Sequence, residues 1–255
     1  MIEEPYRWLE AIANRREYIE DQLQAALPLA VVNGEPGIII ATKRVGTPKI
    51  YEIYDHLAMG CIGHPADMEK IRQSAIELAH LEGFTRSRED VSARRIVTYS
   101  LAVGLKNAFE QIFSAPFLFR CLFVELGEKL EKDEGWIVDY DGSYWTSFGR
   151  DMSKGLLISG KKEIMEKFRT ERESLGLLEF KSINEMVLYA IKLILWASET
   201  ASLKSSLTEG VRSVEERMEV TTLADYEIVL MDRNYYDRQS FTVGNDALLG
   251  FSSSS

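Results

Sequence analysis

The chain is poor in cysteine and histidine and has no long apolar run. Its two cysteines, Cys61 and Cys121, stand among 255 residues, and both lie inside apolar segments (LAMGCIG and FLFRCLFV). A secreted scaffold held by disulfides needs more, so both are expected as reduced, buried thiols. With three histidines, His56, His64 and His80, no metal-ligand spacing appears, so neither a metal nor a cofactor is expected. No stretch approaches the roughly 18 to 20 apolar residues of a membrane span, and the opening MIEEPYRWLE is acidic without an apolar signal core. The expectation is a cytoplasmic protein away from membranes. Basic runs are missing too. The 30 Lys and Arg against 40 Asp and Glu give a net charge of -10, which argues against a face that holds nucleic-acid phosphates. There is no phosphate-cradling glycine loop. No internal repeat is visible, and the one low-complexity stretch is the serine run 252–255.

What is present is a hydrophobic content of 45% beside 27% charged residues, the composition of one globular domain with a substantial core. The most informative stretch is 27–53, LPLAVVNGEPGIIIATKRVGTPKIYEI. Leu29, Ala30, Val31 and Val32 form an apolar run, residues 33–36 carry turn signals, and Ile38, Ile39, Ile40 and Ala41 form a second, β-branched run. Together they predict a hairpin buried on both faces.

Before it, Pro5 suits the first turn of a helix reaching about Gln24, with Leu9, Ile12, Ile19 and Leu23 as its packed stripe. After it, residues 50–53 and 57–63 predict two strands. Pro65 opens a helix with Met68, Ile71, Ala75, Leu78 and Ala79 on one face, ended by Gly83. A second helix over about 91–113 would place Ile96, Tyr99, Val103, Phe109 and Phe113 together. Further strands are expected over 117–126, over 136–140 and 143–148 around the Asp141-Gly142 turn, and over 156–159. A helix over 162–173 follows. Ser182 and Glu185 form a capping box for a helix with Met186, Ala190, Ile194 and Ala197 inward. Residues 226–231 and 240–243 would close the sheets. Strands, two helices, strands, two helices and strands make an α+β chain, a four-layer α-β-β-α sandwich.

The order strand, turn, strand, short loop, lysine, strand, then two helices, resembles the proteasome family of the N-terminal-nucleophile hydrolase fold, in particular its bacterial α-type subunits. The segment LEGFTRSREDVSARRI (81–96) is similar to the helix connection of those subunits, and Tyr140-Asp141-Gly142-Ser143 to one of their hairpins. In catalytic relatives a freed threonine, an acid after the second strand and a lysine before the third act together. Here those positions carry Leu27, Lys43 and Lys49. Leucine followed by Pro28 supplies neither a hydroxyl or thiol nucleophile nor the free amine that would serve as its base. The resemblance therefore implies a subunit with no catalytic residues of its own.

It further implies a leading segment 1–26 with a ring-assembly helix, a sandwich over 27–245 and a tail over 246–255. Met1, Ile2, Glu3 and Glu4 would gate an axial pore, and Lys49, with Gly63 and Ala26, would form an activator-docking pocket for a carboxylate-terminated tail. Implied partners are six further copies of the chain in a heptameric ring, proteasome β subunits, a hexameric ring ATPase acting through its C-terminal tails, and unfolded protein substrates tagged with a ubiquitin-like modifier. Lys49 taken alone reads as a solvated lysine at a strand start. His64 stands where the family often has a small apolar residue. Two rivals stay open. One is a divergent hydrolase, with Thr42 as nucleophile only if the chain were cut before it; the other is a binding module that has lost the ring. Cys61 and His64 lack an orienting acid and read as a packed thiol and a loop imidazole. Glu125, Glu128 and Glu131 read as a solvated turn.

Overall fold

A computed structural model describes residues 4–199, 206–215, 223–236 and 241–243. The elements run α1 (Glu4–Leu23), β1 (Leu29–Gly34), β2 (Gly37–Lys43), β3 (Ile50–Tyr54), β4 (Leu57–Gly63), α2 (Pro65–Thr85) and α3 (Ala93–Arg95). A π-helical turn (Ile96–Leu101) leads into α4 (Ala102–Glu110). Then come β5 (Phe119–Glu125), β6 (Glu134–Asp139), β7 (Tyr144–Phe148), β8 (Leu156–Ile158), α5 (Lys162–Glu171), α6 (Ile183–Ser198), α7 (Leu207–Glu215), β9 (Tyr226–Asp232) and β10 (Phe241–Val243). They form two five-stranded sheets, β10-β9-β2-β1-β8 and β3-β4-β5-β6-β7. Every pairing is antiparallel.

Three apolar layers hold the sandwich together. Val31, Ile40, Leu122, Val124 and Val229 fill the space between the sheets. Ala30, Ile39 and Leu230 turn outward against Met186, Ala190 and Ile194 of α6. Met59, Cys121 and Phe123 turn outward against Met68, Ile71 and Ala75 of α2 and Ile96 before α4. Because both faces of β1 and β2 are covered, their apolar runs do not alternate with polar residues. Each fully buried aliphatic chain stabilises by roughly 1.5–3 kcal/mol. The capping box of α6 is present in full, with Ser182 and Glu185 satisfying each other's backbone N–H groups.

Several expectations are corrected. Gly83 does not end α2, which continues to Thr85; a Cβ at Gly83 would meet the Tyr54 hydroxyl at 2.5 Å, so the glycine makes room for that ring. Tyr99 and Val103 face outward, because the π-helical turn shifts the helix face by part of a turn. Val97, Leu101 and Leu105 take the core positions instead, and Phe113 lies past the end of α4, fully exposed. Leu9 is 63% exposed, while Ile12, Ile19 and Leu23 of the same stripe pack with Phe109 and Tyr140. Helix α7 was not anticipated, although Ser206 and Glu209 exchange side-chain-to-backbone bonds of 3.3 and 3.4 Å in the capping-box spacing that α6 also shows.

A buried arginine ties α1 to the sandwich. The fully buried Arg120 of β5 donates to Glu20 of α1 at 2.5 and 2.6 Å, to Asp139 of β6 at 3.2 Å, and to the carbonyls of Ser159 at 3.0 Å and Gly160 at 3.3 Å. Tyr140 adds a bond to Glu20 at 2.7 Å. The guanidinium fork thus satisfies one carboxylate from each side and two carbonyls after β8.

Candidate functional site

β1 begins and β2 ends where β3 begins and β4 ends. There the two sheets approach closely: a Cβ on Gly60 of β4 would stand 2.6 Å from the Leu29 side chain. Leu27 is half-buried and Pro28 buried, and the Pro28 carbonyl accepts a 2.9 Å bond from the buried Thr42 hydroxyl. Lys43 is exposed, and its carbonyl accepts a 3.3 Å bond from the Lys49 ammonium. The positions that the resemblance aligns with nucleophile, acid and lysine thus carry Leu27, Lys43 and Lys49, the last two joined by the bond from the Lys49 ammonium to the Lys43 carbonyl. The Thr42 hydroxyl is committed to the Pro28 carbonyl, and a cut before Thr42 would divide β2.

Lys49 also holds β4, its carbonyl accepting from Cys61 N–H at 2.8 Å. Gly63 lies two residues further along that strand. Its φ is +130°, and a Cβ there would stand 2.2 Å from the Leu118 carbonyl oxygen, so its freedom is used first by the chain itself. Ala26 sits before β1 with backbone bonds to Leu23 at 2.8 Å and Gly160 at 3.3 Å. Of the expected gate residues, Met1, Ile2 and Glu3 lie outside the described residues, and Glu4 opens α1. The tail 246–255 also lies outside them.

Glu227 completes the site and was not found from the sequence. It stands on β9 opposite Thr42, and both its carboxylate oxygens accept from Lys49 N–H at 3.1 Å, one of them also from Ile50 N–H at 3.0 Å. Burial raises the Glu227 carboxyl above its ordinary range, opposed by those N–H bonds and the charge of Lys49. Burial lowers the Lys49 ammonium, and Glu227 partly restores it. The two residues are 178 positions apart, a separation over which no local pattern signals a contact. What the arrangement offers chemically is a half-buried ammonium on a fixed backbone, beside a carboxylate whose oxygens accept from backbone N–H groups.

The remaining candidates separate. Cys61 is fully buried, its thiol pushed up by burial, and lies across the β4–β5 ladder from Cys121, which is likewise buried and free. His64 is exposed and caps α2, its Nδ1 accepting from Ala66 N–H at 3.3 Å, so no cysteine–histidine dyad forms. No group of three metal-ligating side chains occurs among the described residues.

Glu125 corrects an expectation. Glu128 and Glu131 are exposed, but Glu125 is largely buried and accepts from Ala93 N–H at 2.7 Å. Burial raises its carboxyl to about 7, with Glu134 adding to the rise and the Ala93 bond opposing it. A carboxyl held above its unfolded value costs stability once ionised. The cost is absent below the ordinary carboxylate range, grows as pH rises towards 7, and is complete above it. Glu125→Gln keeps the acceptor for Ala93 without the charge. It is expected to stabilise by about 2–3 kcal/mol at pH 8, shrinking towards zero near pH 4.5, as checked by urea unfolding at both values.

No family model matches the chain. Among curated proteins it is similar to the proteasome subunit alpha of Jonesia denitrificans, 25% identical over 228 residues that make up 88% of this chain and 86% of that protein. The proteasome subunit alpha of Xylanimonas cellulosilytica is 27% identical over 143 residues, 52% of this chain and 55% of that one. That of Streptomyces coelicolor is 26% identical over 178 residues, 66% and 65%. The resemblance to bacterial proteasome α-type subunits is thus borne out along most of the sequence, and the two packed sheets between helices are the sandwich of N-terminal-nucleophile hydrolases.

Proposed function

We propose, from that similarity and from a hydrolase centre lacking its nucleophile and acid, that this chain is a non-catalytic α-type subunit of a bacterial proteasome core particle. What supports the reading most is the combination of an intact sandwich with Leu27 and Lys43 where the resemblance aligns the nucleophile and acid of a threonine peptidase. Peptide-bond hydrolysis then belongs to β-type partners.

In this reading seven copies form an outer ring on β rings. Trp8 and Leu9, 43% and 63% exposed on the leading half of α1, support this as an uncovered apolar stripe on a helix otherwise anchored through Glu20. Residues 1–26 form the gate and assembly helix, with Met1, Ile2, Glu3 and Glu4 narrowing the pore. Residues 27–245 form the sandwich, and 246–255 a tail. Lys49, with Gly63 and Ala26 at the same end of the fold, receives the C-terminal carboxylate of a hexameric ring ATPase that unfolds proteins tagged with a ubiquitin-like modifier. The half-buried setting of Lys49 supports this, because a partly desolvated ammonium pairs more strongly with a carboxylate. The reading places this work in the cytoplasm; among the described residues no helix is long and apolar enough to cross a membrane.

The test is co-expression with a bacterial proteasome β subunit, followed by native mass and peptidase assays. A four-ring particle is expected. Lys49→Ala should leave small-peptide cleavage intact and cut ATPase-driven protein degradation by roughly 10-fold or more, the loss of one charge-assisted contact. A chain that stays monomeric beside every β partner, or that hydrolyses peptides alone, overturns the reading.

A further inference from the structure

At the end of the sandwich away from Lys49, where β3 turns into β4, lies a cavity of about 430 Å³. The β3–β4 turn, the connection from α2 to α3, the end of β5 and Tyr236 form its walls. They hold four acids, Asp55, Glu89, Glu125 and Glu128, against one cation, Arg88, which is bonded to Asp55. Much of the remainder is aromatic: Tyr54, edge-on to His80, and His56, stacked on Tyr236 with 4.0 Å between ring centres. Glu125 sets the chemistry. It is largely buried, and its Oε2 accepts from Ala93 N–H at 2.7 Å, while Oε1 takes no bond from any described residue. Directly across the ladder on β6 stands another acid, Glu134, and among the described residues no lysine or arginine lies within ion-pair distance of Glu125. Burial, with Glu134 adding to it, therefore holds this carboxyl at about 7, because no counter-ion stands beside it.

We infer that this cavity binds a primary alkylammonium ion, its head on Glu125 Oε1 and its stem along Tyr54 and the His56–Tyr236 pair. Among the described residues the acids do not converge as a group of three that could hold a metal. One free oxygen gives the fork of a guanidinium no second acceptor, whereas an ammonium needs only one. The aromatic wall suits the alkyl stem behind such a head. A free polyamine and a lysine side chain share this chemistry. The site lies at the other end of β3 from Lys49 and does not depend on the subunit reading. Binding requires the Glu125 carboxylate, so wherever that group is still protonated its proton passes to the buffer as the ligand enters. Facing Glu125 are Glu134 from β6, Asp55 and His56 from the β3–β4 turn, Arg88 and Glu89 from the α2–α3 connection, and Glu128 beyond β5. An imidazole ordinarily titrates in the same pH window, so a Glu125 variant is needed to separate it from His56.

The test is calorimetric titration of the full chain in its native oligomeric state, at about 0.15 M salt so that diffuse attraction to an acidic surface is screened. The ligands are spermidine, Nα-acetyl-lysine amide and, as the uncharged control, Nα,Nε-diacetyl-lysine amide. At least one amine should bind once per chain, about tenfold more tightly at pH 8 than at pH 6, the ratio expected when a carboxyl near 7 must ionise first. At pH 7 about half a proton per ligand should be released, read from titrations in two buffers of different ionisation enthalpy. Glu125→Gln keeps the acceptor for Ala93, and should weaken binding at pH 8 by about tenfold and remove the pH dependence. Binding of spermidine alone assigns the site to a free polyamine, and binding of the lysine amide alone to a peptide lysine; either upholds the inference. It is overturned if neither amine binds more tightly than the diacetyl control, or if Glu125→Gln binds as the unaltered chain does. A pH dependence that survives in Glu125→Gln also overturns it, and would assign the titration to His56.

Discussion

Arg120→Ala lowers the stability of the chain by about 3–5 kcal/mol, an expected fall of roughly 6–20 °C in Tm for a domain of this size. The guanidinium is fully buried and serves Glu20, Asp139 and the carbonyls of Ser159 and Gly160 at once. Alanine leaves two partly buried carboxylates facing each other without a counter-ion. Burial already holds the Asp139 carboxyl above its ordinary range, opposed by the charge of Arg120. The destabilisation should therefore exceed what lost packing alone gives. Calorimetry on Arg120→Ala and on Arg120→Met/Glu20→Gln checks this, because the double variant restores bulk and removes a stranded charge. If the double variant melts no higher than Arg120→Ala, the electrostatic account is wrong. Loss of this network also weakens the anchorage of α1 through Glu20, so on the reading proposed above ring assembly should suffer along with stability.

Gly63→Ala costs about 3 kcal/mol or more. The residue's φ of +130° is one that L side chains rarely adopt, and the new methyl would stand 2.2 Å from the Leu118 oxygen, which also accepts from His64 N–H at 2.7 Å. The end of β4 and the start of β5 must separate to admit it. Thermal unfolding checks the size of the effect, and a shift under 1 °C would mean that this backbone relaxes freely. The consequence for the docking reading is practical. A tail-binding defect in Gly63→Ala would report a displaced strand, whereas Lys49→Ala removes only a half-buried ammonium whose backbone bonds persist.

Much of the architecture was legible because period and punctuation coincide with burial. The runs of β1 and β2 are apolar on both faces, and they lie between a helix layer and a second sheet. The resemblance aligns Leu27 with the nucleophile of catalytic relatives, and chemistry adds that a leucine supplies none in any fold. The helix over 91–113 was misread in its faces because a π-helical turn adds a residue without any signature in spacing. The sequence by itself determined the layer order and the elements that are buried, since these depend on side-chain chemistry and on periods of two and 3.6. Only the tertiary structure decided that Glu227 clamps Lys49, that Arg120 joins α1 to β6 and to the segment after β8, that Glu125 is largely buried and that Gly63 yields to Leu118. Each joins residues distant in the chain through a side-chain or backbone contact, and no local pattern encodes which far residue arrives there.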